Sequence, residues 1–68
     1  MSTINKRLGA NIRRIRQEKN LMQKEFSKKV GLDAAYLSNI ENGKMNPTVT
    51  TIEKIAKALG VTVSELTK

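Results

Sequence analysis

The sequence predicts an all-α domain of five short helices, and three observations carry that prediction. Apolar residues recur at helical spacing through most of the chain, a glycine or asparagine stands where each run stops, and no stretch alternates apolar and polar residues as a half-buried strand would. A chain of 68 residues makes one domain, 1–68, with one small core. It contains no cysteine and no histidine, so neither disulfides nor a structural zinc is expected. Packing, helped by oligomerisation, has to hold it together.

Each element follows from its own signals. In the first, Ile4, Leu8, Ile12 and Ile15 fall on one helical face, Ser2 or Thr3 can cap the start, and the helix runs to about Lys19, with Asn20 ending it. In the second, Phe26 and Val30 are four apart and share a face; Gly31 ends it by reaching the left-handed region without a Cβ penalty, and Leu32 can pack back on the cap. Asp33 then starts the third helix, where a carboxylate can accept from first-turn N–H groups and suits the positive end of the helix dipole. Leu37 and Ile40, three apart, form its buried side. The segment NGKMNP, with Gly43 and Pro47, is a loop, and a basic one. The fourth helix opens near Thr48, buries Ile52, Ile55, Ala56 and Leu59, and stops at Gly60. Thr62 and Glu65 have the T-x-x-E spacing of a capping box for a last helix that holds Val63 and Leu66.

Two of these helices are only three residues apart, so they must cross steeply. That makes residues 23–42 a helix-turn-helix, whose second helix can project into a DNA major groove while the first lies across the backbone. Charge points the same way. The net charge is +7, and residues 1–31 carry nine Lys or Arg against Glu18 and Glu25, whereas residues 32–68 are balanced. A one-sided basic surface attracts a polyanion; charge alone leaves a solvated basic face as an equal alternative. The start, MSTINKRLGA, lacks the apolar core of a signal peptide, and no apolar run approaches a membrane span, so a cytoplasmic protein is expected. Absence of histidine, cysteine and a glycine-rich phosphate loop argues against an enzyme. With only Phe26 and Tyr36 as aromatics, a reader of single-stranded RNA is also disfavoured.

The motif, together with Leu8 to Arg16, the ENGKMNP segment and the IAKALGVTVSEL tail, resembles the Cro/cI-type helix-turn-helix family of phage repressors and xenobiotic-response-element regulators. The resemblance spans nearly the whole chain and implies a compact five-helix, lambda-repressor-like domain. It further implies a sequence-specific regulator of transcription, most often a repressor, that binds double-stranded DNA as a homodimer on a palindromic operator. No catalytic activity, cofactor, metal or small-molecule ligand is implied. Carried over position by position, Gln23 bonds to a phosphate and supports the recognition helix, and Arg16 and Glu41 form a pair linking helix 1 to the end of that helix. Ala34, Ala35 and Asn39 fall at base-reading positions, with Tyr36 and Ser38 at the groove edge. Asn42, Lys44 and Asn46 match a loop that grips the backbone, and Arg13 adds a phosphate contact, as Arg16 can with its spare donors. Val61, Val63 and Leu66, near helix 5, match the surface that meets the symmetry mate.

The chain departs from the family pattern at three places. Met22 stands where Ser or Thr usually caps helix 2, leaving first-turn donors to other partners. Ser27 replaces an alanine where helices 2 and 3 approach, and its hydroxyl can bond back to the preceding turn. Ala34 and Ala35 occupy positions where relatives carry hydrogen-bonding side chains, so specificity has to lean on Asn39, on Tyr36 or Ser38, and on DNA shape; an alanine methyl can still touch a thymine methyl. Some roles stay open between structure and binding. Tyr36 can be a half-buried ring, Asn39 a solvent-facing polar residue, Lys28 and Lys29 a solvated face, and Val61, Val63 and Leu66 core. An antitoxin or adaptor module that uses the fold to grip a protein is the alternative function.

Overall fold

Helical periodicity translates directly into helices. The computed structural model describes residues 3–68 and contains α1 (Thr3–Glu18), α2 (Gln23–Val30), α3 (Ala34–Glu41), α4 (Val49–Leu59) and α5 (Val63–Thr67), with no strand among the described residues. Helix α1 packs against α3 and α5, and α2 packs against α3 and α4. The helices surround one core of Leu8, Ile12, Ile15, Phe26, Leu37, Ile40, Ile55, Ala56, Leu59 and Leu66, with Val30, Leu32 and Ile52 packed on its edge. The domain measures 27 × 23 × 21 Å.

Helices α1 to α4 stop in the same way. After α2, Gly31 takes φ 80°, its N–H donates to the Lys28 carbonyl (3.2 Å), and the N–H of Leu32 donates to that of Ser27 (2.8 Å). This pair of bonds satisfies carbonyls that a helix end otherwise leaves orphaned. Asn20 does the same after α1 at φ 58°, as asparagine tolerates this region better than most residues. Gly43 and Gly60 close α3 and α4. The residue after each cap is then aimed inward: Leu21, Leu32 and Val61 pack on the core. Lys44, in the equivalent place after α3, is exposed instead.

The helix starts are less uniform. Thr48 caps α4 by accepting from the Thr51 N–H (3.2 Å), and Thr62 with Glu65 forms the expected capping box of α5. Met22 stands at the N-cap of α2 with no side-chain bond and is 68% exposed. Asp33 occupies the N-cap of α3, but its carboxylate makes no capping bond, contrary to the sequence expectation. The cap expected of Ser2 lies outside the described residues, and Thr3 is already helical.

Two further expectations are corrected. Ile4 continues the apolar stripe of α1 yet is 67% exposed, because the stripe outruns the helices packed against it. Leu66 is wholly buried (0% exposed) in the core, so it has no surface to offer a second copy; Val61 is half-buried, and Val63 alone of that trio is exposed.

Candidate nucleic-acid interface

The site is built on α3, and its far end is held first. Helix α1 meets the end of α3 backbone to backbone at Gly9, where an added Cβ would lie 2.7 Å from the Glu41 carbonyl oxygen and nearer still to that of Ile40. Only glycine permits this approach. Two turns along α1, Arg16 donates from Nε to Glu41 Oε2 (2.7 Å) and from Nη2 to Oε1 (3.1 Å), a paired fork, while Nη1 donates to the Leu21 carbonyl (2.6 Å). Gln23, the first residue of α2, adds a bond from Nε2 to Glu41 Oε1 (3.1 Å). The carboxylate at the end of α3 thus ties together α1, α2 and α3. Arg16 and Glu41 side chains are only 8% and 2% exposed, and among the described residues no buried side-chain polar atom lacks a partner. A satisfied buried pair positions helices more surely than it stabilises them, since both charges are desolvated. Arg16 supplies the structural half of its expected role, with little surface left for a phosphate.

At the other end α3 is bare, with Ala34 and Ala35 exposed. Asn39, one turn further along, is exposed on the same face as Ala35. Tyr36 and Ser38 are half-buried, and the Tyr36 ring packs on the core edge. Ser27 is buried in α2, its hydroxyl donating to the Lys24 carbonyl (2.7 Å), the expected back-bond.

The loop after α3 brings Asn42, Lys44 and Asn46 to the surface around buried Gly43 and Pro47. Gly43 sits on α1, with an added Cβ falling 2.9 Å from Lys6 Cγ. Lys6 is therefore beside Lys44's loop, a placement the sequence did not suggest. Arg13 is exposed and lies between Gly9 and Arg16 in helical spacing, so it stands on the side of α1 that carries α3. Ion pairs among the described residues are Arg14 with Glu18 (3.5 Å) and Arg16 with Glu41, so Lys6, Arg13 and Lys44 face solvent without an acid partner. Gly9 and Asn11 were also missed. Asn11 Nδ2 donates to the carbonyls of Leu66 (2.9 Å) and Lys68 (3.1 Å), securing α5 to α1. A glycine in a helix interior costs about 0.5–1 kcal/mol relative to alanine, and that cost was the available signal of a close approach.

No group of His, Cys, Asp or Glu among the described residues could hold a metal ion. No described helix is long and apolar enough to cross a membrane.

Known proteins share this arrangement. The profile of the helix-turn-helix family matches residues 12–66. The control protein C.MunI of Mycoplasma is 43% identical over 67 residues, covering 97% of this chain and 90% of its own length. The immunity repressor protein of Bacillus phage phi105 is 39% identical over 59 residues, covering 87% of this chain but 41% of the repressor. The crystal structure of the restriction-modification controller protein C.AhdI from Aeromonas hydrophila superimposes with a TM-score of 0.86 at 33% identity, over 90% of this chain and 92% of the other. The chain belongs to the Cro/cI-type helix-turn-helix family, whose regulators bind double-stranded DNA.

Proposed function

We propose that this protein is a transcriptional repressor that binds a palindromic operator as a homodimer, with α3 of each copy in the major groove and no catalytic role. The observation that carries this reading is the asymmetry of α3. Its exposed face, Ala34, Ala35 and Asn39, belongs to a helix whose last residue is clamped by buried Arg16 and half-buried Gln23. Asn39 supplies hydrogen bonds to a base edge, Ala34 and Ala35 permit close approach, and Tyr36 and Ser38 border the groove. Gln23, Arg13, Asn42, Lys44 and Asn46 hold phosphates, which set register without reading sequence. A repressor is favoured over an activator by the relative named as an immunity repressor. The protein works in the cytoplasm, where its DNA is.

One domain reads about four to six base pairs, so useful specificity needs a second copy about 34 Å away on the same DNA face. Val63 on α5, with half-buried Val61 beside it, supplies the apolar surface for that contact. A charge placed at a twofold contact meets its own copy. Fluorescence anisotropy with an operator selected from random duplex DNA tests the reading. Affinity is expected to fall on the order of a thousandfold between about 50 and 200 mM salt. Val63→Glu is expected to give a folded monomer by sedimentation and circular dichroism, with operator binding lost at moderate concentration. Absence of salt-sensitive DNA binding, alongside a tight protein partner, would favour an antitoxin or adaptor. An intact Val63→Glu dimer would remove α5 from the interface.

A further inference from the structure

We propose that the first turn of α3 reads the C5 methyl group of pyrimidines, so that it accepts thymine and 5-methylcytosine and discriminates against uracil and cytosine. The inference rests on the DNA-binding reading above and names what the recognition helix selects.

Ala34 and Ala35 are both exposed at the start of α3, whereas Tyr36 is half-buried at the groove edge and Leu37 is wholly buried. The fully exposed surface of this turn is therefore two methyl groups, which carry no donor or acceptor. Such a surface cannot test the hydrogen-bonding edge of a base. It can test for apolar volume, and in the major groove the pyrimidine C5 methyl is the apolar feature. Thymine and 5-methylcytosine carry that methyl at the same ring position, whereas uracil and cytosine lack it. Neighbouring polar groups read other features, the half-buried Tyr36 among them at the groove edge. Asn39 lies one turn further along α3, and Asp33 precedes it with an exposed carboxylate that makes no capping bond. The carboxylate can accept from a cytosine amino group, but that group is present with or without the C5 methyl, so it does not separate the members of either pair. Clamping of α3 at Glu41 matters here as well. A methyl contact has no directional bond to pull it into place, so it needs a helix already held at the right depth. A regulator built this way responds to cytosine methylation within its operator.

The test uses the full chain and duplexes carrying the selected operator, altered one pyrimidine at a time under the first turn of α3. Thymine is compared with uracil and 5-methylcytosine with cytosine, so each pair keeps its hydrogen-bonding edge and differs by one methyl. Removing a methyl is expected to weaken binding about fourfold in both pairs, the worth of one buried methylene-sized group. The double variant Ala34→Gly with Ala35→Gly, shown folded by circular dichroism, is expected to bind more weakly and to treat the two members of each pair alike. Equal binding of uracil and thymine duplexes by the unaltered protein would overturn the proposal. So would a methyl preference that survives in the double variant, which would assign it to DNA stiffness. Loss of binding to every duplex by the unaltered protein would refute the DNA-binding reading itself.

Discussion

The two ends of α3 are built on opposite principles. Its last residue, Glu41, is buried, accepts hydrogen bonds from Arg16 and Gln23, and lies beside a backbone contact with Gly9. Its first residues, Ala34 and Ala35, are exposed, and the Asp33 before them makes no capping bond. One end is fixed by the protein, and the other is the end proposed to meet DNA. Precise recognition wants this division, since a reading surface that is not held must be ordered on binding, at an entropic cost of about 0.5–1.5 kcal/mol per side chain. Short side chains at the reading end also have little freedom to lose.

The contrast is broken most severely at the held end. Arg16→Ala leaves the Glu41 carboxylate buried without its partner and is expected to cost about 3–5 kcal/mol of stability in urea denaturation. That is a large part of the 5–15 kcal/mol typical of a domain. Ala35→Ser, at the open end, is expected to change stability by no more than about 0.5 kcal/mol, as for exposed sites in general. Similar losses in the two variants would erase the distinction.

The start of α2 sharpens the comparison from another side. Met22 is exposed and makes no cap, whereas Thr48 caps α4. Met22→Thr is therefore expected to raise stability by about 0.5–2 kcal/mol, seen as a higher Tm. A fall would mean that the methionine contributes packing that its exposure does not suggest.

These differences also explain what was legible in the sequence. Helix positions, their glycine and asparagine stops, the Thr62 and Glu65 capping box and the Arg16 to Glu41 pair were all readable, the first three because they are local and the last through family resemblance. What periodicity could not convey was where a stripe stops being covered: Ile4 fits the pattern of α1 but lies beyond its partners. Leu66 and Val63 are three residues apart in one apolar segment, yet one is core and the other surface, a distinction set by how α5 docks on α1. Asp33 has the right residue type and position for a cap, but its carboxylate makes no capping bond. Gly9 signals a close approach only by standing inside a helix and Lys6 gives no signal, so what each touches emerges when α1 is laid against the end of α3 and the loop that follows it.

The division of labour along α3 and its loop is tested most directly by measuring Asn39→Ala and Lys44→Ala on the selected operator and on a scrambled duplex. Asn39→Ala is expected to lose about 1–3 kcal/mol on the operator and almost nothing on scrambled DNA. Lys44→Ala, at a proposed phosphate contact, should weaken both duplexes alike and lower the salt slope by about one. Equal losses on both duplexes for Asn39→Ala would contradict the account, because its exposed position on α3 would then carry affinity without reading sequence.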